Sequence, residues 1–299
     1  MNLSLHRPLA GLAATVVLAG VAFAQMNSNP ASGGAYADLN GARIYYKVQG
    51  SGRPVLLIHG YPLAGDLFSK NRDVLARAGN EVITMDLRGF GKSTAPVNDA
   101  GSIQTYAKDA LALLDKLNVK KAVVGGMSMG GAIVFEMYRE APDRFSGIIL
   151  IDTLADPAGP VEKAIWMAMS DKAQAKGPAS LVDDLLKSML TGKTRMEHPD
   201  QSAALAGLVK QASVAGDVAG AMALVNRPDS LATLPTIKAP TLIIEGQEDT
   251  VYPVELSEKM HQNIAGSKLV IIPGAAHAAI YEKARQANSA ILAWLKNLR

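Results

Sequence analysis

Short apolar runs, interrupted only by Thr84, recur along the chain at Val55–Ile58, Val82–Met85, Ala122–Val124, Ile148–Ile151, Leu242–Ile244 and Leu269–Ile272. Runs this brief, without polar alternation, suit parallel strands buried on both faces. Ahead of them, Ala35–Leu39 and Ala42–Val48 flank Asn40-Gly41, a dipeptide suited to the positive φ angles of a tight hairpin turn. Between the runs the period changes. Ser102 stands as an N-cap before Ala107, Ala110, Leu111, Leu114 and Leu117, which share one helical face. Gly131–Glu140 and Ala279–Leu298 also read as helices. The alternation predicts an α/β fold with a mostly parallel central sheet and helices on both faces.

That alternation stops between Asp152 and Pro240. Residues 154–238 carry no strand pattern but several helical stretches, Leu181–Leu190, Ser202–Ala212 and Val218–Asn226 among them. A helical lid inserted after the sixth strand is expected, with core segments 35–153 and 239–299 on either side. Trp166, Met167, Met169, Met189, Met196 and Met222 fall inside it. Methionine fills irregular gaps, so each is read either as lid packing or as pocket wall. Trp166, Met167 and Met222 are the candidate pocket walls.

The first 24 residues follow different rules. They hold no acidic residue, one arginine (Arg7) and an apolar run from Leu9 to Ala24, shorter than the roughly 20 residues a membrane-spanning helix needs. Ala22-Phe23-Ala24 offers small residues where a signal peptidase reads, so cleavage before Gln25 and export, periplasmic or secreted, are expected. Leu18-Ala19-Gly20 begins like a lipoprotein signal, but Val21 stands where the lipidated cysteine must be. No membrane anchor is expected after cleavage. Residues 25–34 read as a polar tether.

Composition narrows the chemistry. The 299 residues are 48% hydrophobic and 19% charged, enough for a large core and too apolar for a disordered chain. The absence of cysteine excludes a disulfide scaffold, a Cys-ligated zinc, an iron–sulfur cluster and a thiol nucleophile. Thirty basic against 27 acidic residues give no reason to expect nucleic acid as a partner. No H-E-x-x-H or strand-linked G-x-G-x-x-G occurs, so neither a metal nor a nucleotide cofactor is expected. Gly91-Lys92-Ser93 resembles the end of a phosphate loop, but that pattern needs Gly where Asp86 stands.

What remains points to a nucleophilic serine. Gly126-Met127-Ser128-Met129-Gly130 follows a strand and precedes a helix, the setting in which a sharp turn lifts a serine hydroxyl above the sheet. A serine hydroxyl needs a base. Of five histidines, His6 leaves with the signal and His59 reads as a structural turn. His198 lies in the lid segment and His261 in a polar stretch. His277 follows the last strand through Pro273-Gly274-Ala275-Ala276, small residues that let an imidazole reach the serine. The orienting carboxylate should follow a strand between the two. Asp249 is best placed, with Glu248 and Asp152 as rivals. Backbone N–H groups of Met129 and Tyr61 are the candidate oxyanion donors.

With His59-Gly60-Tyr61-Pro62, the Asp86–Ser93 loop, Ala239-Pro240-Thr241 leading to Gly246-Gln247-Glu248-Asp249, and Gly274-Ala275-Ala276-His277, the chain resembles the α/β-hydrolases over nearly its whole mature length. Arg227-Pro228-Asp229-Ser230 is similar to members around 3-oxoadipate enol-lactonase, cofactor-free haloperoxidases and small esterases. The resemblance implies hydrolysis of a small or medium apolar carboxylic ester without cofactor, with lactone or amide cleavage by the same triad as alternatives. A ligand-binding member without catalysis is the non-enzyme alternative.

Overall fold

A computed structural model describes residues 1–2, 33–96 and 101–298; the expected signal, its cleavage site and most of the tether lie outside the described residues. Eight strands appear where the apolar runs place them: β1 (Ala35–Leu39), β2 (Ala42–Gln49), β3 (Arg53–Ile58), β4 (Asn80–Met85), β5 (Ala122–Met127), β6 (Phe145–Ile151), β7 (Thr241–Gly246) and β8 (Lys268–Ile272). They form one sheet in the order β1-β2-β4-β3-β5-β6-β7-β8. β2 runs antiparallel to both neighbours, and β3 to β8 are parallel. The hairpin turns on Asn40 (φ 47°) and Gly41 (φ 80°).

The strand order decides where a site can form. From β3 the chain moves outward to β4 and then back across to β5 on the other side. Loops leaving the carboxyl ends of β3 and β5 therefore diverge and leave a crevice between them. Ile58 and Gly126 are register partners at that end.

Helices cover both faces: α1 (Ser69–Arg77), α2 (Ile103–Lys116) and α3 (Met129–Glu140) precede β6. Between β6 and β7 lie α4 (Pro160–Lys176), α5 (Val182–Met189), α6 (Gly192–Glu197), α7 (Pro199–Val209) and α8 (Val214–Val225). The chain closes with α9 (Val254–Asn263), α10 (Ala279–Glu282) and α11 (Ala284–Leu295). Ser102 caps α2 by accepting from Thr105 N–H. The buried face of α2 is turned from the expected one, since Tyr106 and Leu113 are buried while Leu111 and Leu117 are only half-buried. The expected single C-terminal helix is broken at Lys283 (φ −118°, ψ 45°). The cause is Glu282, whose carboxylate accepts from Thr191 N–H, Thr191 Oγ and Ala276 N–H, holding α10 to the preceding loop.

Asp86 and Arg88 are structural. Asp86 accepts from Gly65 and Lys92 N–H, and Arg88 makes a two-pronged, fully buried pair with Asp109. Among the described residues no single helix is long and apolar enough to cross a membrane.

Candidate active site

β5 ends at Met127 and α3 begins at Met129, so Ser128 makes the turn alone. Its backbone sits at φ 54°, ψ −117°, a conformation that costs a residue with a Cβ about 1–3 kcal/mol. The surroundings hold it there: Ser128 N–H donates to Ile151 O at 2.9 Å, and its carbonyl accepts from Thr153 Oγ at 2.7 Å and Gly131 N–H at 2.8 Å. The flanking glycines are required by space. A Cβ on Gly126 would strike the carbonyl of Gly130, and one on Gly130 would strike the carbonyl of Ile58.

Three side chains distant in sequence meet at this turn. His277 Nε2 lies 2.9 Å from Ser128 Oγ, and its Nδ1 lies 2.6 Å from Asp249 Oδ2. Asp249 Oδ1 accepts from Val251 N–H at 2.7 Å and Tyr252 N–H at 3.0 Å. All three residues are buried, at 5%, 3% and 6% exposure for Ser128, His277 and Asp249. Burial works against a charge on Asp249, but the His277 ring and the donor bonds outweigh it and hold its carboxyl below the usual range. An ionised Asp249 accepts a hydrogen bond from Nδ1–H and so keeps the ring proton on that nitrogen, leaving the Nε2 lone pair aimed at the serine hydroxyl. The His277 loop is tied to the inserted helices: His277 N–H donates to Ser188 O and Ala278 N–H to Met189 O.

The rival carboxylates stand elsewhere. Glu248 is exposed. Asp152 is fully buried at φ 45°, but its two oxygens accept from Gly246 and Ala279 N–H rather than from His277. Burial, and then the neighbouring Asp249 charge, push the Asp152 carboxyl well above the usual range. His59 is also accounted for. Its Nδ1 bonds Gly60 O and its Nε2 accepts from Leu87 N–H, which fixes a neutral ring between the β3 and β4 loops. Burial lowers its pKa to about 4.

The crevice brings the β3 loop against the serine turn. A Cβ on Gly60 would lie 2.9 Å from both Met127 O and Ser128 Cβ, so the backbone just before Tyr61 passes against the serine turn. Met129 N–H opens α3 and has no acceptor within the helix. The positive end of that helix dipole favours negative charge beside Ser128. The Tyr61 ring stacks edge-on against Phe90 and Trp166, at centroid distances of 6.2 and 5.7 Å.

An apolar cleft of about 680 Å³ lies between α4, α5 and the Asp249 loop, lined by Leu154, Ile165, Trp166, Leu185, Tyr252 and Leu256 among others. Its inner wall reaches the triad, since the Tyr252 ring lies 5.2 Å from the His277 ring. Of the three candidate walls, Trp166 lines this cleft. Met167 is 46% exposed and stays out of the cleft, which α4 lines instead with Val161, Ile165 and Met169 at four-residue spacing and with Trp166. Met222 is half-buried against the core and does not border the cleft.

Two residues that sequence reasoning passed over complete the surroundings. Tyr252 stands three residues after Asp249, and its hydroxyl meets Arg227 and Glu162. Arg227 in turn makes a two-pronged pair with Glu162 and donates to Asp156 O, which locks α4 to the Asp249 loop. Arg227-Pro228-Asp229-Ser230 marked the segment but not this partner set, which becomes visible only in three dimensions.

A parallel sheet with an antiparallel edge, a strained serine at the strand-to-helix turn and an insertion after the sixth strand define one family. The chain belongs to the α/β-hydrolase fold family, whose match spans residues 53–284. It is 32% identical to a putative non-heme chloroperoxidase of Synechocystis, over 85% of this chain and 95% of that one. It is 25% identical to a bifunctional esterase/perhydrolase of Acinetobacter calcoaceticus, over 86% of this chain and 98% of the relative. Among solved structures, a thermophilic esterase from Thermogutta terrifontis superposes with a TM-score of 0.84 at 31% identity, covering 89% of this chain and 98% of the esterase. Hydrolase activity follows from this membership.

Proposed function

We propose that the protein cleaves carboxylic esters of small to medium apolar substrates through an acyl-enzyme on Ser128. The observation that carries this reading is the unbroken chain Ser128–His277–Asp249, with contacts of 2.9 and 2.6 Å. In the first step His277 Nε2 takes the hydroxyl proton as Ser128 Oγ attacks the ester carbonyl. Asp249 steadies the imidazolium. Tyr61 and Met129 N–H groups bind the developing oxyanion, each such donor being worth about 3 kcal/mol of barrier. His277 returns the proton to the departing alcohol, and water repeats the sequence to release the acid. The apolar cleft supports an apolar group on the substrate, and the helices of 154–238 act as the lid above it.

The test is hydrolysis of p-nitrophenyl esters from acetate to dodecanoate by residues 25–299, with Ser128→Ala in parallel. Turnover lost by about four decades or more in the variant is expected, with a chain-length optimum set by the cleft. Equal, near-background rates in both proteins would overturn the ester reading and move the search to lactones and prolyl amides. A second reading draws on the relatives named for haloperoxidase and perhydrolase activity. Hydrogen peroxide in place of water would attack the acyl-enzyme and release a peracid, seen as bromide oxidation that needs both acetate and peroxide. We also place the mature protein outside the cytoplasm; intact-mass analysis of the exported protein should find Gln25 at its start, and a retained Met1 would refute cleavage.

A further inference from the structure

Behind the triad lies a group that the hydrolytic cycle as drawn does not use. Asp152, Glu245 and Asp249 each place one carboxyl oxygen within 4.8 Å of the others, and all three are buried. Three negative charges this close, away from water, cannot coexist without cations to match them. The hydrogen bonds around them are unequal. Asp249 accepts from Val251 N–H, Tyr252 N–H and His277 Nδ1. Asp152 accepts from Gly246 and Ala279 N–H. Glu245, fully buried at the end of β7, accepts from Ser257 Oγ alone, at 2.5 Å.

The other Glu245 oxygen decides the matter. Among the described residues Oε1 meets no N–H or O–H donor, while carboxyl oxygens of Glu245 and Asp249 stand within 4.8 Å of each other with no water-exposed surface on either group to relieve their charges. Two carboxyl groups bond only when a proton sits between them. That proton belongs on the partner whose ionised form has fewest donors, which is Glu245.

We propose that Glu245 keeps a proton at neutral pH and donates it to the Asp249 carboxylate, acting as a positioning residue that holds the triad's acid in place and moderates its charge toward His277. The chain then runs Glu245–Asp249–His277–Ser128, and only His277 and Ser128 exchange protons during hydrolysis. Burial first, then the charges of Asp152 and Asp249, raise the Glu245 pKa to about 11, in line with the geometry. The groups facing Glu245 are Asp152 from the end of β6, Asp249 from the loop after β7 and Ser257 from α9. His277 stands beyond Asp249, and Glu282 acts through Asp152.

The catalytic half of this proposal rests on the triad reading, but the position of the proton does not. Infrared difference spectra at pH 7 between the wild type and Glu245→Gln should show a carboxylic-acid C=O band present in the first and absent from the second. Ser128→Ala, which tests hydrolysis separately, should keep that band. A difference spectrum without such a band overturns the proposal, because any carboxylic-acid absorption from Asp152 or Asp217 is common to both proteins and cancels. The acid limb of the kcat/KM–pH profile gives a second readout. Glu245→Gln, which retains a neutral donor, should leave the limb within about 0.3 pH unit of wild type. Glu245→Leu, which removes the donor and makes Asp249 a stronger base, should move it upward. Were Glu245 ionised, Glu245→Gln would remove a negative charge near His277 and lower the limb by on the order of one unit; that result would also sink the idea.

Discussion

Replacing Asp249 with asparagine changes one atom's hydrogen-bonding sense and leaves the shape almost intact, so its effect can be reasoned from the bonds at the site. Oδ1 accepts from two backbone donors, Val251 and Tyr252 N–H. An asparagine must keep its carbonyl oxygen there, because turning its NH2 toward two N–H groups would set donor against donor. The NH2 then takes the place of Oδ2, facing His277 Nδ1 at 2.6 Å. Being a donor only, it forces Nδ1 to accept, and the ring proton moves to Nε2. That proton now points at Ser128 Oγ, 2.9 Å away, where a lone pair is needed. The base has become a donor, and the anion that steadied the imidazolium is gone.

A triad with the wrong tautomer loses about four decades in kcat, or about 5.5 kcal/mol of barrier. Asp249→Asn should show this loss on a p-nitrophenyl ester while its thermal midpoint and circular dichroism remain those of a folded protein. A fluorophosphonate probe should label Ser128 correspondingly slowly. A folded Asp249→Asn within about tenfold of wild type would refute the reasoning. It would mean that Asp152 or another carboxylate orients His277, or that the reaction does not pass through its imidazolium.

Other contacts make separate predictions. Arg227→Met strips Glu162 of its paired cation and removes the donor to the Tyr252 hydroxyl, loosening α4 from the Asp249 loop; Glu162 is partly exposed, so a loss of about 2–3 kcal/mol in urea unfolding is expected, with a fall in kcat/KM, and an unchanged midpoint would show that the pair locks nothing. Asp217 is fully buried, neither of its oxygens has a hydrogen-bond partner among the described residues, and burial raises its pKa to about 7. Its proton is therefore held in the folded chain and released on unfolding between pH 4 and 7, so this group's contribution is full at low pH and lost as pH rises. Asp217→Asn should gain on wild type across that window by on the order of 1 kcal/mol per pH unit, and a constant gap between their pH–stability curves would refute it. Gly130→Ala should fail to assemble the serine turn, because its Cβ meets backbone of β3 that cannot yield; soluble protein with normal esterase activity would contradict that.

The parts of this molecule that could be read from sequence are those whose cause is local. An apolar run of three or four residues is nearly enough to fix a buried parallel strand, and the eight strands lie where such runs or the Asn40-Gly41 hairpin put them. That the side chains of Ser128, His277 and Asp249 meet was readable for the same reason, since each follows the carboxyl end of a strand and a parallel sheet gathers those ends on one edge. The C-terminal helix was misread because its break is caused from far away, by Thr191 bonding Glu282 across 91 residues. α4 was not seen as a helix because its apolar residues do not form one inward stripe. Trp166 and Ala173 are buried, whereas Val161, Ile165 and Met167 face outward or into the cleft. Glu245 read as an ordinary strand residue, and its meaning appears only when the ends of β6 and β7 bring Asp152 and Asp249 beside it.

The bonds between the inserted helices and the triad also limit how a substrate can enter. His277 and Ala278 N–H are held by the carbonyls of Ser188 and Met189 at the end of α5, and Thr191 just beyond is held by Glu282. Lifting α5 would release the loop that carries His277, so an opening that keeps the Ser128–His277–Asp249 chain assembled must leave α5 in place. α4 has no such bond to the His277 loop among the described contacts. It is attached through Arg227 and Glu162 and borders the apolar cleft with Ile165 and Trp166. Entry along α4, with α5 as the fixed wall, is the route that would admit the proposed apolar substrate without separating Ser128, His277 and Asp249.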